Sequence, residues 1–577
     1  YSHHVESQGA GQSVEIQCES IRRITQIVDK KKEQKEIKLE RDIQLNMDSG
    51  TVVQHGMFTK KVRITARGAD GKVYAIKYKP INFAQVMILN QDTAHLKLTI
   101  KPGPKATEDF LYKTAEYGSR FLMMIRRINI QYATTDGMSV PGFSPMIGDI
   151  FGQERSPFGL TPGLGFAFGA VNRDFLYDAK DRGWLVENTS NVNPAVMSSA
   201  KNLNIRANLE PITGLKIDLN ANRVDTRNTD IQYNFTMTTV ALGSFFKGVG
   251  NASNNYASET FNKFIEYRET IANRLESRYT GTTYPNSGFL GQSQYGGKEY
   301  NKEHGGGVSH NSADVLIPAF LAAYTGKDPN KISSSPFPAI RSMLPNWRVT
   351  YDGLIRIPAI KKHFKSVMLT HQYRCTYNVG AYETYSTWVD AGLGDNLGFT
   401  QNASEAPIPS SPYSISSVRL AECFSPLLGV DATMLNNITI RADYTTTRNL
   451  NLNISSYQIV EALSNKYTIG LGYKFAEFNK ILKMKKTRDF SNDLTVRLDF
   501  SYNKMQSLIR KIEDSFTQAT SGNIAKTIQF SADYGLSRAL TLRAFYDLQI
   551  NEPLISNASY PTSNSNYGVA LRFSLAQ

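Results

Sequence analysis

Few residues of this chain stand at spacings that do covalent chemistry. His304-Gly-Gly-Gly307 matches the string from which lipases build an oxyanion hole, where backbone N–H groups stabilise a tetrahedral oxyanion. No Gly-x-Ser-x-Gly elbow accompanies it to carry a nucleophile, so the stretch reads as a flexible loop. His363 and His371 stand near a strand start without further ligands and read as structural rather than metal-binding. Gly163-Leu-Gly-Phe-Ala-Phe-Gly169 lacks the spacing of a dinucleotide loop, and its aromatic alternation predicts a tight strand or packing in a lumen. No His-Glu-x-x-His and no phosphate-binding P-loop occurs. Three cysteines, Cys18, Cys375 and Cys423, are too sparse for a disulfide framework or a zinc site and read as buried free thiols. The expectation is a protein without catalytic, cofactor or metal residues. The chemistry that remains is electrostatic: arginine and aspartate two residues apart, as Arg441 with Asp443 and Arg497 with Asp499.

Those pairs belong to a strand written repeatedly. Leu494-Thr-Val-Arg497-Leu-Asp499-Phe500 recurs as Ile438-Thr-Ile-Arg441-Ala-Asp443-Tyr444, with looser copies at Leu203–Leu209, Trp347–Asp352 and Leu540–Asp547. Successive side chains of a strand point to opposite faces. Ile438, Ile440, Tyr444, Leu494, Val496, Leu498 and Phe500 therefore share a greasy face, with Leu571 and Phe573 beside them, and Arg441, Asp443, Arg497 and Asp499 a charged one. The pattern predicts a large antiparallel transmembrane β-barrel of the outer membrane, the first set meeting lipid and the second lining a water-filled lumen.

Composition fits that reading. Hydrophobic residues are 41% and charged ones 20% of 577 residues, which excludes disorder. The longest apolar runs fall short of the roughly 20 residues a spanning helix needs. Thirty Tyr and 29 Phe suit aromatic girdles, although strands favour aromatics anyway. The net charge of +14 is spread through strands beside aspartates rather than clustered, which argues against a nucleic-acid partner. No signal peptide is visible, which predicts a cleaved leader or a C-terminal piece of something longer.

Residues 1–104 read as a charged segment followed from about 50 by a small soluble β domain or elaborated loop, with a hairpin at Asp70-Gly71. Residues 105–577 read as barrel strands: Arg120–Ala133 turned at Asp136-Gly137, a hairpin at Thr213-Gly214, then Val367–Val379, Ile438–Tyr444, Leu450–Ile454, Ile469–Phe475, Leu494–Tyr502, Ile528–Tyr534 and Leu540–Ile550. Helical spacing of Phe261, Phe264, Ile265, Ile271 and Leu275 predicts a helix over 258–278. A second is predicted over 314–325, capped by Asp314 and ended by Gly326. Their insert lies in external loops or folds into the lumen. The Lys480, Lys483, Lys485, Lys486 and Arg488 cluster reads as a solvated turn, or as a site for acidic lipid or a partner.

The C-terminal Tyr567-Gly568-Val-Ala-Leu571-Arg-Phe573 resembles the β-signal by which bacterial outer-membrane barrels are recognised by the barrel assembly machinery. Several segments together resemble the SprA/Sov family, the outer-membrane translocon of the Bacteroidetes type 9 secretion system. They are Phe121–Tyr132 with Asp136-Gly137 and Val140-Pro-Gly142, Pro162–Gly169, the helix around Phe261–Leu275, Val315–Tyr324 with Gly326-Lys-Asp-Pro329, and Leu344-Pro-Asn-Trp-Arg-Val-Thr-Tyr-Asp-Gly-Leu354. The resemblance runs over roughly 118–577. Family members are several times longer and form one very large barrel. The resemblance implies the C-terminal part of such a barrel, a protein-conducting pore for folded cargo bearing C-terminal secretion signals, and a link to gliding motility. It also implies a PorV-like partner barrel at a lateral opening and a periplasmic plug.

Three other classes compete. A TonB-dependent receptor or porin would need a plug or a narrow, ligand-lined lumen, and the charged first 50 residues do not look like a plug. An outer-membrane hydrolase would need a rim constellation of Ser/His or paired acids. A soluble multi-sandwich adhesin would keep its Tyr/Phe face inside a sandwich core.

Overall fold

The computed structural model describes residues 3–8, 13–19, 39–45, 50–55, 62–90, 94–102, 124–146, 148–157, 159–169, 174–186, 195–228, 233–476, 478, 493–514, 516–537, 540–555 and 560–573. Contacts divide the chain into two units, Glu19–Arg126, and Tyr1–Cys18 together with Arg127–Gln577. This division differs from a boundary at 104, because the strand His3–Gln8 pairs with Gly137–Phe143 and so joins the first residues to the large unit.

The small unit is two short antiparallel sheets, one of four strands and one of three. Val62, Ala66, Leu98 and Ile100 from one sheet and Val53, Val86 and Ile88 from the other fill a shared core. The hairpin at Asp70-Gly71 forms as its sequence predicts, with Ala66 opposite Tyr74.

The large unit is built on one 16-stranded sheet, antiparallel in every pairing described. Its principal strands are β1 (Ile125–Phe143), β2 (Val196–Ile212), β3 (Leu215–Asn228), β4 (Tyr233–Thr238), β5 (Asn346–Tyr351), β6 (Phe364–Thr384), β7 (Ser417–Met434), β8 (Ile438–Asn453), β9 (Gln458–Phe475), β10 (Leu494–Lys511), β11 (Thr517–Gly535), β12 (Leu540–Pro553) and β13 (Thr562–Phe573). From β6 onward each strand pairs with the next in sequence. Among the described residues the sheet does not close on itself: β13 pairs only with β12.

Several strands differ from their sequence expectation. β1 runs straight through Asp136-Gly137 without turning. Ile438–Tyr444 and Leu450–Ile454 belong to one strand, β8, which ends at Asn453. The Gly163–Gly169 string forms a short helix, Leu164–Ala167, rather than a strand. The Thr213-Gly214 hairpin is as predicted, with Gly214 at positive φ and Ile212 opposite Leu215.

β4 and β5 lie end to end between β3 and β6. The insert 239–345 leaves the sheet where β4 ends and returns where β5 begins. It carries α1 (Leu242–Phe245), α2 (Glu259–Tyr279) and α3 (Ala313–Thr325). Ser258 caps α2, its hydroxyl accepting from the Phe261 N–H. At α3 the N-cap residue is Ser312 rather than Asp314, whose carboxylate instead accepts the Ser411 N–H at 2.8 Å. Gly326 ends α3 in the left-handed conformation, as its position predicts. Phe264, Ile271 and Leu275 of α2 and Leu316, Phe320 and Tyr324 of α3 join Tyr373, Leu420 and Leu450 of the sheet in one core. No helix among the described residues is long and apolar enough to cross a membrane. The lysine cluster at 480–488 lies outside the described residues.

Candidate functional site

The register of the sheet sorts its side chains into rows. Val367, Ala432, Ile440, Leu471, Leu498, Phe530, Tyr546 and Tyr567 stand opposite one another across eight strands. Alternation places all of them on one face. The row Ile438, Tyr473, Val496, Ala532, Ala544 and Val569 runs beside it. Leu494 leads through Tyr534 and Leu542 to Leu571, and Leu540 stands opposite Phe573. Phe500 and Tyr444 lie on the same face by parity. Leu471 is 48% exposed and Leu498 42%, so this apolar band is bare from β9 onward, whereas Val367 and Ala432 at its start are buried.

The intervening rows are polar. Arg441, Gly470, Asp499, Gln529, Asp547 and Asn566 form one, and Thr439, Gly472, Arg497, Ser531, Phe545 and Gly568 the next. Arg441 Nε donates to Asp443 Oδ2 at 2.5 Å, a pair along one strand rather than across two. A cross-strand pair forms between Arg543 and Asp533 at 3.8 Å. Gly470 stands between Arg441 and Asp499, and a Cβ there would strike the Asp499 carboxylate. This face holds a recess of about 790 Å³ lined by Asp431, Arg441, Arg497 and Asp499 with Lys365 and Arg356. The residues expected to be charged and those expected to be greasy thus occupy opposite faces of a single sheet.

The apolar face has a boundary. Tyr444, Tyr467 and Tyr502 stand opposite one another on β8, β9 and β10. The first two rings stack at 4.5 Å between centroids. Beyond this row the same face of the same strands is covered by the insert and carries charge. Arg448 Nε donates to Glu422 Oε2 at 2.8 Å, and its remaining donors reach the Ser244 carbonyl at 3.0 Å and hydroxyl at 2.8 Å on α1. The Tyr373 hydroxyl donates to Glu422 Oε1 and accepts the Ala241 N–H, both at 2.9 Å. Arg510 donates to Glu461 Oε2 at 2.9 Å and to the carbonyls of Tyr256 at 2.7 Å and Val249 at 3.1 Å. Both pairs are buried.

Sequence reasoning missed these four residues. Their signal was a charge at an apolar parity position: Arg448 between Thr446 and Leu450, Glu461 between Ile459 and Leu463, and Arg510 after Leu508. The sequence places the insert in external loops or in the lumen; in the structure α1 and the segment before α2 bond to side chains on the face that carries the apolar band.

β13 is the exposed edge. Tyr567, Val569, Leu571 and Phe573 share its apolar face, and Phe573 is 65% exposed. Gly568 opens space on the opposite face for the Phe545 ring, which would lie 3.0 Å from an added Cβ. His304 packs beside the rings of Tyr284 and Tyr295, and the Nδ1 of His371 meets the Leu427 carbonyl at 2.6 Å. Cys375 is buried and Cys423 half-buried, both free; the Cys18 side chain lies outside the described residues. No cluster of metal-ligating side chains occurs among the described residues.

No protein-family model and no curated protein matches the sequence. Among solved structures the chain is similar to in-vitro folded OmpT, an outer membrane protein of Vibrio cholerae in trimer form, at 8% identity and a TM-score of 0.18, over 66% of this chain and 93% of that one. It is also similar to the closed form of Fiu, the ferric-catecholate import receptor of K12 E. coli, at 10% identity and a TM-score of 0.14, over 89% of this chain and 66% of that one. Scores this low leave the fold to rest on the strand register.

Proposed function

We propose that the large sheet is part of the wall of an outer-membrane protein-conducting channel. The observation that supports this is the opposition of an apolar row from Val367 to Tyr567, bare from Leu471 onward, and a polar row from Arg441 to Asn566. An apolar band of wide extent meets lipid, and the opposite face meets water. Mixed charge two residues apart gives a passing folded protein no deep binding well. The insert covers part of the face that carries the apolar band, so in this reading the wall itself sets the width of the passage. The resemblance to SprA/Sov supplies the finer reading: export of folded cargo with C-terminal signals, serving secretion and gliding, with a PorV-like barrel and a periplasmic plug as partners.

Cysteines decide the faces. In assembled protein, Asp499→Cys and Ser531→Cys react with a membrane-impermeant thiol reagent, and Leu498→Cys and Phe530→Cys do not. Labelling of the second pair alone would reverse the sheet. Tyr567, Gly568, Leu571 and Phe573 form the assembly edge in this reading. Phe573→Asp then leaves the protein unassembled in the periplasm and stops cargo export; normal outer-membrane amounts with normal export would remove that role. A second reading, an uptake barrel for small solutes, is favoured by the recess beside Arg441 and Arg497. Solute uptake that depends on those two residues, with cargo export unaffected, would select it.

A further inference from the structure

We propose that a recess on the insert, beneath Lys327, Lys331 and Arg341, binds a phosphate monoester, either free in solution or borne by a glycolipid headgroup. The recess measures about 250 Å³ and lies where segment 325–342 meets Met237 and Tyr377 of the sheet. No Asp or Glu lines it. Lys331 has one distant partner, Asp328 at 3.9 Å. Lys327 and Arg341 make no ion pair among the described residues. The Ser333 hydroxyl accepts the Ser335 N–H at 3.2 Å and keeps its own proton free to donate.

The segment carrying these cations is fixed from three directions. Arg274 of α2 donates to the Pro329 carbonyl at 2.5 Å and the Ser334 hydroxyl at 3.2 Å. Tyr377 of β6 donates to the Pro336 carbonyl at 3.0 Å, and Arg223 of β3 donates to the Pro338 carbonyl. Two buried or half-buried arginines and a tyrosine are thus spent on holding a loop whose own cations are unspent. Three cations on separate stretches of that loop suit a dianion with oxygens in several directions; a carboxylate would be satisfied by one arginine. Met237, Leu321 and Ile332 give the recess an apolar floor for the carbon skeleton that carries the phosphate.

Met237 stands opposite Tyr377 on the face that carries the apolar band, so in the channel-wall reading the recess lies on the lipid side of the sheet. The glycolipid source, though not the recess, rests on the channel-wall reading. The test uses the purified full chain in detergent with two probes, inorganic phosphate and a bisphosphorylated glycolipid in mixed micelles. Lys327→Ala with Arg341→Ala weakens binding by about tenfold or more, and Lys298→Ala outside the recess leaves it unchanged. Loss confined to inorganic phosphate assigns the site to a soluble ligand. Loss confined to the glycolipid assigns it to a headgroup. Equal binding of both probes by the double variant and the unaltered chain would overturn the proposal. The cysteine-labelling result is independent of either probe, so failure of the wall and failure of the recess are told apart.

Discussion

The two halves of β8, β9 and β10 present the same face under opposite rules. Below the tyrosine row the face is bare and carries only Ile, Leu, Val, Phe, Ala and Tyr. Above it the face holds Glu422, Arg448, Glu461 and Arg510, all buried. The difference is the cover. A buried ion pair repays its desolvation only when its remaining donors and acceptors are also satisfied. The insert supplies those partners through Ser244, Val249 and Tyr256. Charge is excluded from a strand face only where nothing stands ready to bond it.

Breaking the covered half gives the largest effect. Arg448→Ala strands the Glu422 carboxylate among Tyr373, Phe424 and α1, at a cost of about 3–5 kcal/mol in an unfolding midpoint. Glu422→Leu combined with Arg448→Met costs much less, because no charge is left alone. If the double variant is as unstable as the single one, the pair is not what fixes the insert.

The bare half is next. Leu498→Arg costs up to about 2–4 kcal/mol near a bilayer midplane. Arg497→Leu, one residue away on the other face, changes stability by about 0.5 kcal/mol. Equal tolerance of the two would erase the distinction between faces.

The smallest effect lies on the insert's outer surface. Hydrogen bonds from Lys263 and then Lys247 hold the Glu259 carboxyl down at about 2. A lowered folded-state value contributes stability that is complete above the ordinary glutamate range and is lost as the pH falls toward 2. Glu259→Gln therefore lowers neutral-pH stability slightly, the group being exposed, and flattens the acid limb between about pH 4.5 and 2. An unchanged acid limb would show the three side chains to be uncoupled in solution.

The bare half was legible in the sequence because alternation is a local property, and register only extends it from strand to strand. The covered half was not. Thr445 to Asn449 looks polar on both faces, which split β8 in two at the sequence level. What buries Arg448 is α1, which lies some two hundred residues earlier in the chain. The α3 cap was misread for a similar reason: Asp314 has the right type for a cap but serves Ser411, a residue from a distant loop. Local chemistry named the candidate, and a long-range contact used it differently.

The tyrosine row also fixes a thickness. On β10 the apolar stretch Leu494–Tyr502 is nine residues of a strand of 18. At about 3.3 Å per residue and a tilt of about 40°, that stretch is roughly 20 Å tall. A typical hydrocarbon core is about 30 Å. In a membrane this stretch pulls the surrounding leaflets together, and short-chain lipids fit it with less deformation than long-chain ones.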